Sequence, residues 1–389
     1  MPPRNMALAC LLAAAVGALA SPDETLFDDH ASFAHLASYG YFLGAQRPGR
    51  SARHGYPDGQ LHDRRHSFPL ITGNGFRMLA DFYIDDEGDI DVVGSKLLST
   101  DPSSYLRTLR GSEAVVVFVD NMDDTLSTFL KRDIVQRSPR PVVLVVHNGD
   151  NDGIDPHHPV LRESNLEAVF TTNCVGSHPK VTCIPIGLEN RQWPRHGSKP
   201  ELIMGSFLAS VGAPMVLDPA AGNATVTTAC FSTNTNPAER TPLATMLTLE
   251  ATRYAWVDTN CADYDVLSFY RKLSVHAAVV APRGNGLDTH RAWESFYLGR
   301  LVVTRSSAMD RLWDDMPVLL LDDWADLSLH KVASAIRFQA ARGARTKRVR
   351  TNKLYMQHWA CLIGRAADRD REFCSNAALR ATLLKPDGR

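Results

Sequence analysis

Pro282-Arg-Gly-Asn-Gly-Leu-Asp-Thr-His-Arg-Ala-Trp-Glu-Ser-Phe-Tyr-Leu-Gly299 is the stretch on which the reading of this chain turns. An apolar run, His276-Ala-Ala-Val-Val-Ala281, precedes it, and another, Leu301-Val-Val-Thr304, follows. The order is strand, glycine loop, helix, strand. Such a loop brings backbone N–H groups against a phosphate, with a helix N-terminus behind them. Gly284, Asn285 and Gly286 supply the backbone approach, and Arg283 adds a positive charge. Arg291 and Glu294 lie three apart on the predicted helix and share a face. A diphosphate joined to a ribose needs this set: donors and cations for the phosphates, a carboxylate for the hydroxyls. Arg291 and Glu294 alone would read as a surface ion pair; beside the loop, ligand binding is the preferred reading. Trp293 and Phe296 read as core, and His290 as a helix-surface residue.

Four strands are legible upstream: Ala114-Val-Val-Val-Phe-Val119, Val142-Val-Leu-Val-Val146, Leu166-Glu-Ala-Val-Phe170 and Val181-Thr-Cys-Ile-Pro-Ile186. Continuous β-branched runs suit strands buried on both faces of a parallel sheet. A helical segment at 125–136 between the first two gives β-α-β order. Residues 21 to about 70 hold no period and read as loops and short helices; His54, His62 and His66 lack metal-ligand spacing there. Around 196–226 the chain turns small and polar, which marks a domain boundary. A second α/β series follows: a strand at 229–232, a helix capped by Asn236 with Pro237 first and Glu239 closing a capping box, and a helix at 264–274. After the glycine loop come a strand at 317–321 and helices at 326–340 and 353–368.

Two doubly wound domains facing a cleft are the simplest assembly. Ligands in such sheets sit at the carboxyl ends of strands, so the loops after Val119, Val146, Ser232 and Ala281 are predicted to line the cleft. Asp120, His147 and Asp150 fall on the first two of these loops, where a general base belongs. Asn-Gly-Asp at 148–150 is equally turn chemistry. Arg240 reads either as an ordinary helix residue or as a phosphate contact.

The 389 residues suit two domains rather than one core. Arg4, an apolar run from Met6 to Leu19 and Ala18-Leu-Ala20 together read as a signal peptide over 1–20, short for a membrane span. The body is thereby directed into the secretory pathway, to the Golgi lumen or outside, with a membrane role only if that segment stays as an anchor. Setting Cys10 aside leaves six cysteines, an even number in an oxidising compartment. Cys174 with Cys183, and Cys361 with Cys374, are the sequence-local pairs. No Cys-x-x-Cys occurs, which argues against a zinc site. Lys plus Arg (42) nearly equals Asp plus Glu (43), against a nucleic-acid binder. A local basic run from Arg337 to Lys353 reads as a solvated face in preference to a surface that draws in an anionic acceptor. Asn223-Ala-Thr225 is a glycosylation sequon in a small-residue stretch.

The 282–299 block resembles the C-terminal motif of exostosin-like glycosyltransferases, closest to the branch with the ribitol xylosyltransferase C-terminal domain. Phe231-Ser-Thr-Asn-Thr-Asn-Pro-Ala-Glu-Arg240, His147-Asn-Gly-Asp150 and Ile184-Pro-Ile-Gly-Leu-Glu-Asn190 agree with that branch, and the likeness runs from about 68 to about 330. It implies a GT-B-like fold of two Rossmann-type domains, a nucleotide-sugar donor, a glycan or glycoprotein acceptor, inversion at the transferred carbon and no obligatory metal. The domains would be 21–222 on the acceptor side, 223–345 on the donor side, and a helical segment at 346–389 packing back on the first. Matched by position, the family's donor-binding residues fall on Arg283, Arg291 and Glu294. Gly73-Asn-Gly-Phe-Arg77 departs from the expected Gly-Asp-Thr-Phe-Arg, because Asn74 does not ionise.

Two other classes compete. The acids in Val115-Val-Val-Phe-Val-Asp-Asn-Met-Asp-Asp124 suggest a metal-dependent GT-A transferase, but the spacing is loose and leaves the 282–299 block unexplained. Asn74 favours a glycan-binding protein without catalysis. A nicotinamide dehydrogenase fits poorly, since Gly284-Asn-Gly286 lacks the third fingerprint glycine.

Overall fold

The computed structural model describes Ser67 and residues 70–84, 90–92, 113–120, 134–150, 153–190, 203, 226–254, 256–260, 266–346 and 352–374. The signal segment, the three early histidines, the sequon, the boundary around 196–225 and most of the predicted 125–136 helix lie outside these residues.

The first sheet contains β1 (Phe82–Ile84), β2 (Ile90–Val92), β3 (Val115–Asp120), β4 (Val142–His147), β5 (Leu166–Thr171) and β6 (Val181–Cys183). Their order is β2-β1-β3-β4-β5-β6, parallel except for the β1–β2 pair. Side chains alternate between two cores. Val115, Val117, Val119, Val142 and Leu144 face one cluster; Val116, Phe118, Val143 and Val145 face another. Burial on both faces is why these strands read as unbroken apolar runs. The last strand stops at Cys183, three residues short of the sequence expectation; Pro185, which has no backbone donor, follows at once.

The second sheet contains β7 (Thr227–Thr228), β8 (Val257–Asp258), β9 (Ala278–Val280), β10 (Leu301–Arg305) and β11 (Val318–Leu321), all parallel, in the order β11-β10-β9-β7-β8. Helices α2 (Pro237–Tyr254) and α5 (Leu329–Thr346) join the core on one face; α3 (Val266–Val275) and α4 (His290–Tyr297) lie on the other. The first strand of this series lies two residues before the expected 229–232, and β1, β2, β8 and the short α1 (Gly73–Arg77) carried no clear period in the sequence. The strand order reverses between β7 and β9, a topological switch point whose crevice opens at the carboxyl ends of those strands. Two Rossmann-type domains are thus formed, the GT-B-like architecture and not the GT-A one.

One core cluster is common to both sheets, containing Phe118 and Val145 from the first, Val279 and Val302 from the second, and Trp293, Tyr297 and Trp359 from the helices between. Helix α6 (Met356–Ala366) packs on α1 and β5. The Ala114 N–H donates to the Ala367 carbonyl, and Arg369 pairs with Asp81 at 2.8 Å, just before the four-residue α7 (Asp370–Phe373). Both sequence-local disulfides form, Cys174–Cys183 and Cys361–Cys374. The expected capping box does not. Asn236 takes a left-handed φ of 52°, and Glu239 instead accepts the Trp324 indole N–H at 2.9 Å.

Tyr297 ties three parts of the chain together. Its fully buried hydroxyl accepts from the Ile71 N–H (2.9 Å) and donates to the Leu354 carbonyl (2.8 Å). Tyr297→Phe leaves both backbone groups unsatisfied in a dry core, at a cost of about 1–3 kcal/mol. Urea denaturation should show a lower midpoint at unchanged m-value; an unshifted midpoint would mean that water replaces the hydroxyl.

Candidate functional site

The switch-point crevice is closed off by Arg240, in the first turn of α2. Its guanidinium donates to the carbonyls of Ser232 (3.0 Å), Pro282 (3.2 Å) and Arg283 (2.8 Å). These belong to the two loops that leave β7 and β9 in opposite directions. Arg240 is 7% exposed and is a brace across the crevice, not a free arm for a phosphate.

The glycine loop turns over this brace. The Arg283 Nη2 donates to the Asn285 carbonyl (3.2 Å), but its Nε–H is shielded from water without an acceptor among the described residues. Arg291, on α4, has the same condition at Nε, with its guanidinium 5.4 Å from the Phe269 ring. Burial lowers its pKa to about 10, against the pull of Glu294. Glu294 is 9% exposed; burial raises its pKa, opposed by Arg291 and His290. Two arginines with idle buried N–H groups and a desolvated carboxylate thus surround the loop. An uncompensated guanidinium N–H is costly away from water, so the arrangement is electrostatically incomplete without an anion.

The far side of the loop rests on the first domain. A Cβ on Gly286 would stand 2.4 Å from the Asn173 amide nitrogen, so only glycine fits there. Asn173 Oδ1 accepts the Asp288 N–H (2.9 Å). The Asp288 carboxylate accepts from Ile186 N (2.8 Å), Thr289 N (2.8 Å) and the Trp293 indole (2.9 and 3.0 Å). Burial raises its pKa to about 6 despite these donors. His290 is not the surface residue expected: Nδ1 lies 2.8 Å from the Gly187 carbonyl and Nε2 3.2 Å from Glu189. Burial alone would lower its pKa; Glu189 overrides that and lifts it to about 9. Asp288 and the 184–190 stretch stand out in the sequence, but their pairing with each other and with Asn173 does not, since the partners stand 102 to 115 residues apart.

Of the three candidate bases, Asp150 meets the glycine loop. It is exposed, and its Oδ2 accepts the Asn285 amide at 3.0 Å. His147 is 1% exposed, stacked between Phe76 (5.1 Å) and Phe118 (6.4 Å). Its Nδ1 accepts the Asn148 N–H (2.7 Å) and its Nε2 faces the Pro185 carbonyl (3.0 Å). Nδ1 also lies 3.1 Å from Asn148 Oδ1, and burial lowers the pKa to about 4. With both nitrogens engaged, His147 serves the fold. Asp120 ends β3 directly beside it in register. Asn74 is also interior, 1% exposed, with its N–H on Asn190 Oδ1 (2.9 Å). Among the described residues, no three His, Cys, Asp or Glu side chains gather as a metal site requires.

Protein-family models and curated proteins give no match to this chain. Solved structures align weakly. A UDP-forming α,α-trehalose-phosphate synthase from Burkholderia vietnamiensis shares 10% identity over 64% of this chain and 71% of its own, at a TM-score of 0.35. An E. coli trehalose-6-phosphate structure bound with UDP-2-fluoro glucose shares 9% over 68% and 75%, at 0.36. An α,α-trehalose 6-phosphate synthase from Burkholderia multivorans shares 11% over 74% and 75%, also at 0.36. Superpositions at this level assign no residue, and the roles below rest on the site's own geometry.

The His147 environment sets an acid limit on stability. A histidine whose folded pKa is lowered to about 4 contributes fully above the unfolded value of 6.5. That contribution, on the order of 3 kcal/mol, is lost as the pH falls from 6.5 towards 4. Asp288, raised to about 6, acts oppositely over part of that range, so the test is a comparison. Between pH 7 and pH 5 the wild-type denaturation midpoint should fall more than that of His147→Gln; parallel curves would show that His147 titrates normally.

Proposed function

We propose that this protein is an inverting, exostosin-like glycosyltransferase. It moves a sugar from a nucleoside-diphosphate sugar to a hydroxyl of a glycan or glycoprotein in the secretory pathway. The observation that carries the reading is the pair of buried Nε–H groups on Arg283 and Arg291, without acceptors among the described residues, flanking a glycine loop at a topological switch point. A diphosphate supplies the missing acceptors. Glu294, desolvated one turn along α4, suits the ribose hydroxyls. Asn74, the feature that favours a non-catalytic binder, is buried with its N–H on Asn190, and that alternative stands as the second reading.

In this mechanism the acceptor oxygen attacks the anomeric carbon on the face opposite the diphosphate, and its proton passes to Asp150. The bond from the anomeric carbon to the phosphate oxygen breaks with its electron pair on oxygen. The new charge meets Arg283, Arg291 and the 284–286 backbone. Fixed cations aimed where charge develops act most strongly in the transition state. No metal is needed to balance the step.

Arg283→Ala should lower kcat/KM by about a hundredfold or more, the cost of removing one charge-stabilising donor. Steady-state kinetics on a folded variant, with the donor chosen by thermal-shift screening of nucleotide sugars, is the measurement. Near-normal turnover would remove Arg283 from the site.

Asp150→Asn should bind nucleoside diphosphate with wild-type affinity yet transfer about 10²-fold more slowly, as loss of a general base requires. Calorimetry and single-turnover transfer separate the two effects. Full transfer by this variant would return the assignment of the base to other residues.

A further inference from the structure

Arg283 faces a second space. A cavity of about 590 Å³ opens between the first turns of α2 and the carboxyl ends of β10 and β11, with Arg283 at its edge. Small-molecule sites fall in this size range. One wall is apolar, made by Pro242, Leu243 and Met246 on successive turns of α2. The rest of the lining is polar: Arg305 at the end of β10, Asp323 after β11, and Asn236 just before α2.

The polar wall is built, not accidental. Trp324 is 7% exposed and donates its indole N–H to Glu239 Oε1 (2.9 Å). Glu239 Oε2 stands 3.7 Å from the Arg305 guanidinium, which also donates to the Asp322 carbonyl (3.4 Å). Asp323 spends one oxygen on the Ala325 N–H (2.8 Å) and keeps the other. Guanidinium donors, a carboxylate acceptor and an amide that does both therefore share the lining with a hydrocarbon surface. Arg283 and Arg305 are matched by Glu239 and Asp323, so the lining carries no net charge.

This chemistry selects against a second anion and against a purely apolar ligand. Each hydroxyl is one donor and two acceptors, so a polyol uses a wall that alternates both kinds. One face of a pyranose ring is lined with C–H groups and suits the α2 side. We propose that this cavity binds a neutral sugar ring, with Arg305 and Asp323 as its specificity residues. The inference rests on the glycosyltransferase reading only for the source of the sugar: the donor's own sugar, reached past a diphosphate on Arg283, or a unit of the acceptor glycan.

Two variants test it. Arg305→Ala removes a half-exposed donor, and Ala238→Trp fills the cavity from an exposed helix position. Both leave the core intact, which thermal denaturation verifies. The probes are free nucleoside diphosphates, intact nucleotide sugars and a neutral oligosaccharide array. If the donor sugar lies here, both variants weaken nucleotide-sugar binding about tenfold or more, as loss of a charged hydrogen bond predicts, and leave the free nucleoside diphosphate unaffected. If an acceptor unit lies here, donor binding is unchanged and oligosaccharide binding falls by a similar factor. Wild-type affinities for every probe in both variants would overturn the cavity proposal, whatever the fate of the donor assignment. Failure of the wild-type protein to bind any nucleotide would instead sink the transferase reading, and the oligosaccharide arm would still decide the cavity.

Discussion

A carboxylate buried where the two sheets meet sets the geometry of everything around it. Asp288 receives a backbone donor from the first domain at Ile186, a backbone donor from its own domain at Thr289, and the Trp293 indole from the next turn of α4. Desolvating a carboxylate costs several kcal/mol, roughly, unless donors surround it. Its pKa, still raised to about 6, shows that compensation is incomplete. Such a group persists only where the surrounding structure over-determines it. Here it fixes the start of α4, and with it the directions of Arg291 and Glu294, against a backbone that belongs to the other sheet. The docking of the two domains and the shape of the candidate donor site are consequently one constraint.

Arg240 works in the same manner from the opposite side. Three carbonyls from two diverging loops share its guanidinium, so the crevice at the switch point cannot widen without breaking charged hydrogen bonds. Burial lowers its pKa, with Glu239 opposing. The contrast with Arg283 and Arg291 is informative. The same residue type within one small region is saturated at position 240 and left with an idle Nε–H at 283 and 291. Saturation marks Arg240 as part of the frame, while the idle donors at 283 and 291 are what the proposed anion site rests on.

Much of the architecture is legible in the sequence. Unbroken β-branched runs gave most strands, because burial on both faces removes the polar alternation that otherwise disguises them. The glycine loop and its helix were equally plain, since strand, turn and helix are adjacent in sequence. What went unread depends on partners far away. The two-residue β8 has no room for a period and is set by pairing with β7, which in turn pairs with β9. Glu239 looked like half of a capping box, but a tryptophan 85 residues later claims its oxygen. His147 looked like a base because it follows a buried strand. Whether that strand end meets solvent depends on Phe76 and Pro185, which sequence position does not reveal.

The glycine loop faces both domains at once, and this bears on how chemistry would be timed. Gly286 sits too close to Asn173 for any side chain, while Asn285 donates to Asp150. A loop so placed carries information in both directions. A ligand that pulls on Arg283 and the 284–286 backbone also moves Asn285 relative to Asp150. In the arrangement seen here the Asn285 amide holds one carboxylate oxygen of Asp150. Asp150 is exposed, so that bond is an exchange with water and contributes only about 1 kcal/mol. Were an anion to fill the proposed site, a small displacement of the loop would be enough to release the carboxylate. Coupling of this kind needs no separate hinge or lid, because the two halves of the reaction already share four residues of backbone.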